Sequence, residues 1–215
     1  MPEPADVRKF FDAIARRYDR VYARPRDEVK TRMSELLARL GAGPLDVLDL
    51  GVGTGGELPW LLDAGHRVTG LDVSEEMLAL CKQRARPIPC VCADFWEGLP
   101  FADASFDAVV ALFGSLAHPP DEASYPRLIA EVRRVLREEG TFYFEMPSPA
   151  WRAEHPDFTD AASGARIAIA APDESRWRDW LSAGFEVASV TDDAVELRVV
   201  ANKLTPRSPP SPAAR

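Results

Sequence analysis

A glycine-rich turn between an apolar strand and a helix constrains this chain more than any other feature. The apolar run at residues 45–50 leads directly into four glycines within residues 51–56, and an apolar helix is predicted over 57–62. A strand, a glycine turn and a helix in this order are typical of sites for nucleotide-like ligands. Glycine lets the backbone turn tightly and approach a ligand closely. The free N–H groups at the helix start favour an anionic group of that ligand.

An aspartate near the end of the strand helps to identify the ligand. Gly51, Gly53 and Gly56 also satisfy the G-x-G-x-x-G pattern of dinucleotide-binding enzymes, so the glycines alone fit more than one cofactor. Asp49 stands two residues before the first glycine, in a strand that is otherwise apolar. A carboxylate there is costly unless it holds the loop or the ligand through hydrogen bonds. We therefore expect Asp49, Gly51 and Gly53 to contact a cofactor.

Two further aspartates are predicted at the carboxyl ends of parallel strands. The segment 66–72 ends at Asp72, and the segment 88–94 ends at Asp94. The spacing between the glycine loop and Asp72 is close to that of a carboxylate that accepts both ribose hydroxyls of a nucleotide. Ligands of open α/β sheets bind at this edge, so three strand-end carboxylates predict a binding site there.

These motifs resemble those of the Rossmann-like (class I), S-adenosylmethionine-dependent methyltransferases, and of their small-molecule type in particular. Val-Leu-Asp-Leu-Gly-Val-Gly-Thr-Gly at 47–55 resembles the first motif of that family, and Asp-Val-Ser-Glu-Glu-Met-Leu at 72–78 resembles the second. The resemblance covers roughly residues 6–203 and implies S-adenosylmethionine as the cofactor. By that resemblance Val73 and Met77 flank the adenine ring, Asp94 accepts from its amino group and Phe95 covers it.

Five more residues are candidates on the methionine and acceptor sides. By the same resemblance, Tyr18 comes down over the cofactor and donates to the methionine carboxylate, and Leu112 precedes the segment whose carbonyls meet the methionine ammonium. His118 and Glu145 are candidate catalytic bases, since both follow or end strands at the same edge. Tyr22 is a further acceptor-side candidate. An ordinary structural role is the alternative for Tyr18, His118 and Glu145.

The order of elements predicts a doubly wound α/β fold. Its seven-stranded, mostly parallel sheet ends in an antiparallel hairpin, whereas the last strands of dehydrogenases are joined by helices. Residues 1–204 are predicted to form a single domain, with N-terminal lid helices over 1–41 and a substrate-side insertion over 148–172. The proline-rich tail 205–215 is predicted to be disordered.

Composition narrows the expected partners. The net charge of −8 disfavours nucleic-acid and anionic-membrane binding. Strand four ends in Ala-Leu-Phe-Gly and lacks the Asn/Asp-Pro-Pro-Tyr/Phe motif of nucleic-acid amino-group methylases. Three cysteines without zinc spacing predict reduced thiols and no metal site. Without an apolar span or a signal-peptide core, a cytoplasmic protein is expected, as a monomer or homodimer.

The predicted activity is transfer of a methyl group from S-adenosylmethionine to a small-molecule acceptor by in-line displacement. Positioning and desolvation supply much of the rate of such a step, and a general base is needed only if the acceptor loses a proton. Two alternatives stay open. One is a NAD-dependent oxidoreductase, and the other is a catalytically silent module that binds S-adenosylmethionine on the same fold.

Overall fold

The computed structural model describes residues 4–22, 24–84 and 86–205, and a seven-stranded sheet lies at its centre. The strands are β1 (Asp46–Leu50), β2 (Arg67–Asp72), β3 (Cys90–Cys92), β4 (Phe106–Ala111), β5 (Leu136–Pro147), β6 (Asp157–Thr159), β7 (Arg166–Ala168), β8 (Phe185–Asp192) and β9 (Glu196–Lys203). The sheet follows the order β3-β2-β1-β4-β5-β9-β8, while β6 and β7 form a separate hairpin. Strands β1 to β5 are parallel, and β9 runs antiparallel to both β5 and β8. The predicted mostly parallel sheet with a terminal antiparallel hairpin is confirmed.

Helices cover both faces of this sheet. They are α1 (Pro4–Val21), α2 (Arg26–Leu40), α3 (Leu58–Asp63), α4 (Glu75–Cys81), α5 (Ser124–Val135), α6 (Pro149–Glu154) and α7 (Glu174–Leu181). Successive strand residues point to opposite faces, so Val47 of β1 packs with α2, α3 and α4, and Leu48 packs with α5 and α7. The predicted doubly wound arrangement is therefore confirmed. Within the described residues, none of these helices combines the length and apolarity needed to cross a bilayer.

The largest difference from the predicted elements lies between α5 and β5. The sequence pattern predicts a helix over 121–137 and a strand over 141–146, but the helix ends at Val135 and β5 begins at Leu136. Leu136 is fully buried and pairs with Phe106 of β4. This strand pairing overrides the helical preference of the charged residues that follow Leu136 in the chain. The register then shifts before the rest of β5 pairs with β4.

Helix α1 packs away from the sheet. Phe10 and Ile14 form a small core with Met77 of α4 and Ile167 of β7. Helix α1 therefore bridges α4 and the β6–β7 hairpin, which belongs to the predicted insertion. The predicted disordered tail falls, apart from Thr205, outside the described residues.

Candidate functional site

A cavity of about 600 Å³ lies at the carboxyl edge of the parallel strands, within the size range of small-molecule sites. Its wall comes from the glycine loop, the segments after β2, β3 and β4, helix α1 and the insertion. Ten residues predicted to bind a cofactor all line it: Tyr18, Asp49, Gly51, Gly53, Asp72, Val73, Met77, Asp94, Phe95 and Leu112. The structure thus brings together residues that are spread over most of the domain.

The glycine loop is held in a conformation that a side chain would disrupt. The Gly51 N–H donates to the Leu71 carbonyl at 2.7 Å, and Gly51 has a φ of +78°. A Cβ at this position would lie 2.6 Å from the Ser115 Oγ, closer than any real contact. Glycine is therefore required here both by the backbone conformation and by the approach of Ser115.

Asp72 connects the glycine loop to the start of α4. Its Oδ2 accepts from the Gly53 N–H at 2.8 Å, and its Oδ1 accepts from the Ser74 N–H at 2.9 Å. Burial raises the pKa of this carboxyl against the lowering effect of the two hydrogen bonds. Each carboxylate oxygen has a second lone pair, so Asp72 can hold the loop and still accept from a ligand hydroxyl.

Asp49 gives one end of the cavity an unbalanced negative character. It is only 4% exposed. Its pKa is raised well above the usual range by burial first, then by the charges of Glu57 and Asp72, and no hydrogen bond from the described residues offsets them. Burial also raises the pKa of Glu57. A cation bound here would lower the cost of ionising this pair, so this part of the cavity favours a positively charged ligand group.

Asp94 and Tyr18 lie on the same wall in different electrostatic settings. The Asp94 Oδ1 accepts from the Trp96 N–H at 2.9 Å, while burial raises the pKa of the carboxyl. Burial and then the charge of Glu57 raise the pKa of Tyr18 to about 12. The Tyr18 hydroxyl is therefore protonated at neutral pH and is a hydrogen-bond donor to an anionic ligand group.

The His118 imidazole is held in one tautomer at the cavity wall. Its Nδ1 lies 2.8 Å from the Ala168 carbonyl oxygen in β7. A carbonyl only accepts, so Nδ1 carries the proton and Nε2 keeps a lone pair in the neutral ring. Burial lowers the pKa of His118, which favours this neutral form. The structure thus places His118 at the cavity wall, and its predicted role as a general base stays a prediction.

The structure places Glu145 outside the lining of the cavity, and its role as a catalytic base stays a prediction. Glu145 is 1% exposed and does not line the cavity. Its carboxylate accepts from the Phe113 N–H at 2.9 Å and the Tyr143 hydroxyl at 3.1 Å, and it lies 3.5 Å from Arg32 of α2. Phe113 has a φ of +52°, which is unfavourable for a bulky residue. The Glu145 side chain points from β5 towards α2. Its hydrogen bond to the backbone of Phe113 therefore positions Phe113, which does line the cavity.

Tyr22 also has a positioning partner rather than a free hydroxyl. It donates to the Asp160 Oδ1 at 2.9 Å, and burial together with this bond raises the pKa of Tyr22 to about 12. Asp160 is fully buried and also accepts from Arg17 and from the Ser163 N–H. Tyr22 contributes an aromatic ring to the cavity wall and is not a base at neutral pH.

Helix α1 covers one side of the cavity, and we call this helix the roof. The sequence analysis missed the acidic residues whose hydrogen bonds hold the roof in place. Asp12 accepts from the Ser74 hydroxyl at 2.6 Å. Asp19 accepts from the Thr54 hydroxyl at 2.5 Å and from Arg84 at 2.8 Å. On the insertion, Asp160 accepts from Arg17. The one local signal was that Asp19 directly follows Tyr18. Asp12 and Asp160 look like ordinary surface acids until the chain is folded.

Several known proteins that match this chain in sequence or in structure are methyltransferases. A family profile described as a methyltransferase domain matches residues 47–140, which include the glycine loop, Asp72 and Asp94. The chain belongs to the Rossmann-like, S-adenosylmethionine-dependent methyltransferase superfamily. Demethylmenaquinone methyltransferase of Beutenbergia cavernae is 38% identical to it over 156 residues, which are 69% of this chain and 61% of that protein. The chain spans about half to two thirds of the length of the curated relatives it matches.

Solved methyltransferases share the fold of this chain over most of its length. A DhpI–SAH complex superposes with a TM-score of 0.75 at 22% identity, covering 94% of this chain and 97% of that one. A 1,6-didemethyltoxoflavin-N1-methyltransferase of Burkholderia thailandensis, with 1,6-didemethyltoxoflavin and S-adenosylhomocysteine bound, gives 0.72 at 22%, covering 95% and 92%. The roof and the insertion of this methyltransferase lie outside the segment matched by the family profile.

Proposed function

We propose that this protein transfers a methyl group from S-adenosylmethionine to a small-molecule acceptor inside the cavity. The observation that carries the proposal is the buried Asp49 carboxylate beside the glycine loop, in a cavity that also presents Asp72 and Asp94. A buried acid without a hydrogen bond from the described residues is costly to ionise, and a cationic ligand group beside it would lower that cost. The net charge of −8 supports a small molecule over a nucleic acid as the acceptor.

The chemistry of the wall fits each part of this cofactor. The sulfonium and ammonium groups are cations and suit the end that holds Asp49 and Glu57. The neutral Tyr18 hydroxyl is a donor for the carboxylate, and Asp72 has lone pairs left for the ribose hydroxyls. Asp94 has acceptor capacity for the adenine amino group. The apolar residues Val73, Met77 and Phe95 supply surface for the ring.

Each protein group has a limited task in this proposal. When bound, the cofactor would supply a methyl group on a sulfonium. A lone pair of the acceptor would form the new bond to the methyl carbon, while the electron pair of the carbon–sulfur bond goes to sulfur. The roof and the insertion close over the cavity and exclude water. His118 accepts the acceptor proton at Nε2, and Glu145 keeps Phe113 in place behind the acceptor.

Calorimetric titration with S-adenosylmethionine, S-adenosylhomocysteine and NAD tests the proposal. We expect micromolar binding of the first two and none of NAD. A screen with methyl-labelled S-adenosylmethionine and a panel of small acceptors then measures transfer. Binding of NAD in place of the other two would identify an oxidoreductase. Tight binding of S-adenosylmethionine with no transfer across the panel would favour a catalytically silent module.

A further inference from the structure

One side of the cavity is built mainly from aromatic residues, and we call it the acceptor chamber. In the sheet order, β3, β2 and β1 carry the aspartates, and β4 and β5 lie beyond them. The segments after β4 and β5, together with the roof and the residue that follows it, supply the rings of the chamber: Phe11, Tyr22, Phe113, His118, Trp151 and Phe158. Of these rings, Phe113, His118, Trp151 and Phe158 come from the segments after β4 and β5, so the chamber extends along the β4–β5 side of the cavity.

Neighbouring rings of the chamber meet at tilted or edge-to-face angles and are not stacked in parallel. Tyr22 and Phe158 lie 4.9 Å apart between centroids, with planes tilted by 53°. Phe11 and His118 meet edge to face at 5.7 Å and 62°. All four line the cavity. A flat aromatic ring placed against these side chains can make offset or edge-to-face contacts, which a saturated ring of similar volume cannot make.

The chamber is also close to electrically neutral. Among the described residues beside these rings, Arg24 is the one strongly basic side chain of the chamber. Its guanidinium lies 4.7 Å from the centroid of the Phe113 ring, and it is paired with Glu28 at 3.1 Å and with Glu196 at 3.5 Å. The Tyr22 phenol is protonated at neutral pH because its pKa is raised to about 12 by burial and by Asp160. A charged guest would lose its hydration here without gaining an unpaired counter-charge.

His118 is the titratable acceptor that faces this chamber. Burial lowers the pKa of its imidazole, so it is a weak base. The groups around it are the Phe11 ring of the roof and the Ala168 carbonyl of β7. A weak base accepts a proton more readily from a more acidic group than from a less acidic one. A ring-bound hydroxyl, with a pKa of about 10, meets that need far better than an aliphatic alcohol.

We propose that the acceptor is an uncharged, planar aromatic or heteroaromatic molecule that carries a ring-bound hydroxyl or a ring N–H. This inference rests on the proposed function and specifies its substrate class. The acceptor oxygen or nitrogen would form the new bond to the methyl carbon while the carbon–sulfur bond breaks and leaves its electron pair on sulfur. The acceptor proton goes to Nε2 of His118 and from there to solvent. The bicyclic 2-naphthol serves as the probe of this class.

Binding of three matched probes to the S-adenosylhomocysteine-loaded protein, measured by calorimetry, tests the inference. The probes are 2-naphthol, its saturated counterpart decahydro-2-naphthol and the anion 2-naphthoate. We expect 2-naphthol to bind about tenfold more tightly than either of the others, since two aromatic contacts exceed the contribution of buried area alone. Equal binding of the saturated probe would overturn the aromatic assignment. Tighter binding of 2-naphthoate, or no binding of 2-naphthol, would overturn the inference as well.

A pair of variants locates the binding. Phe158→Leu removes a chamber wall and is expected to erase most of the preference for 2-naphthol over its saturated counterpart. Phe101→Leu is the matched control, because Phe101 is also half-buried, contacts Phe106 at 5.1 Å and does not line the cavity. Equal effects of the two variants would place the probe elsewhere and contradict the inference.

Failure of the proposed function can be told apart from failure of the inference. The titration with S-adenosylhomocysteine is done first on the same samples. If that ligand does not bind, the proposed function fails, and the probes are titrated into the unloaded protein to test the chamber alone. If it binds and the probe preference is missing, only the acceptor class is refuted.

Discussion

Replacing Asp72 with asparagine removes one acceptor from the centre of the site with little change in shape. Two backbone N–H groups donate to the carboxylate at 2.8 and 2.9 Å. An amide keeps one acceptor oxygen but turns an NH₂ group towards the other N–H. Of the two charge-assisted bonds that we propose Asp72 accepts from the ribose hydroxyls, one is therefore lost, with a contribution of about 1.5–3 kcal/mol. We expect the affinity for S-adenosylhomocysteine to fall about 10- to 150-fold in calorimetry. Stability should change less, because burial raises the pKa of Asp72 and the amide removes that burial cost.

Asp107→Asn is the matched control for this variant. The Asp107 Oδ2 also accepts from a backbone N–H at 2.8 Å, that of Asp46, but at the opposite edge of the sheet. Its loss should lower the thermal unfolding midpoint and leave the affinity unchanged. An Asp72→Asn protein that binds within twofold of the wild type would refute the assignment of Asp72. An equal loss of affinity in Asp107→Asn would show that general loosening of the fold is responsible.

Three further predictions address the base, the roof and the loop. His118→Ala should lower the turnover of an acceptor that must lose a proton by roughly 10²–10⁴-fold and leave S-adenosylhomocysteine binding intact. The wild-type rate should rise with pH through a pKa below 6.5, because burial lowers the pKa of His118. Asp160→Asn should lower the thermal midpoint at pH 7. Because Arg17 holds the pKa of Asp160 below its usual range, the ionised group stabilises the fold above the unfolded pKa of about 4. The difference from wild type should therefore shrink as the pH falls below that value towards the lowered pKa of the folded state. Gly51→Ala should lower the free energy of unfolding in urea more than Gly41→Ala does. Both glycines have a φ near +80°, but a Cβ at Gly41 meets nothing within 4 Å, whereas one at Gly51 meets Ser115. Equal losses of stability would show that the Ser115 side chain moves aside easily.

The sheet and the cofactor side of the site could be predicted because their signals are local. The Asp49 motif, Asp72 and Asp94 each occupy a fixed place at the end of a strand, and the parallel topology brings such ends to one edge. The side chains therefore converge whatever the detailed packing of the helices. The same reasoning placed His118, in the segment after β4, at the cavity wall.

Glu145 and the α5–β5 junction show where this reasoning stops. Position along β5 places Glu145 near the correct edge, but whether its carboxylate is free for a ligand depends on its partners, which include Arg32 of α2, more than a hundred residues away in the chain. Leu136 likewise begins a strand because of Phe106, a partner on β4. Contacts between distant segments decide both outcomes, and a local sequence pattern carries no information about them.

The roof couples the two ends of the cavity. Residues of α1 line it beside the aspartates, through Tyr18, and in the acceptor chamber, through Phe11. If each ligand binds only beneath a closed roof, the apparent affinity of each is its intrinsic affinity multiplied by the closed fraction. A change that weakens the hold of Asp12 or Asp19 then lowers both apparent affinities by the same factor, although neither residue belongs to the acceptor chamber. By reciprocity, the first ligand that favours closure tightens the binding of the second.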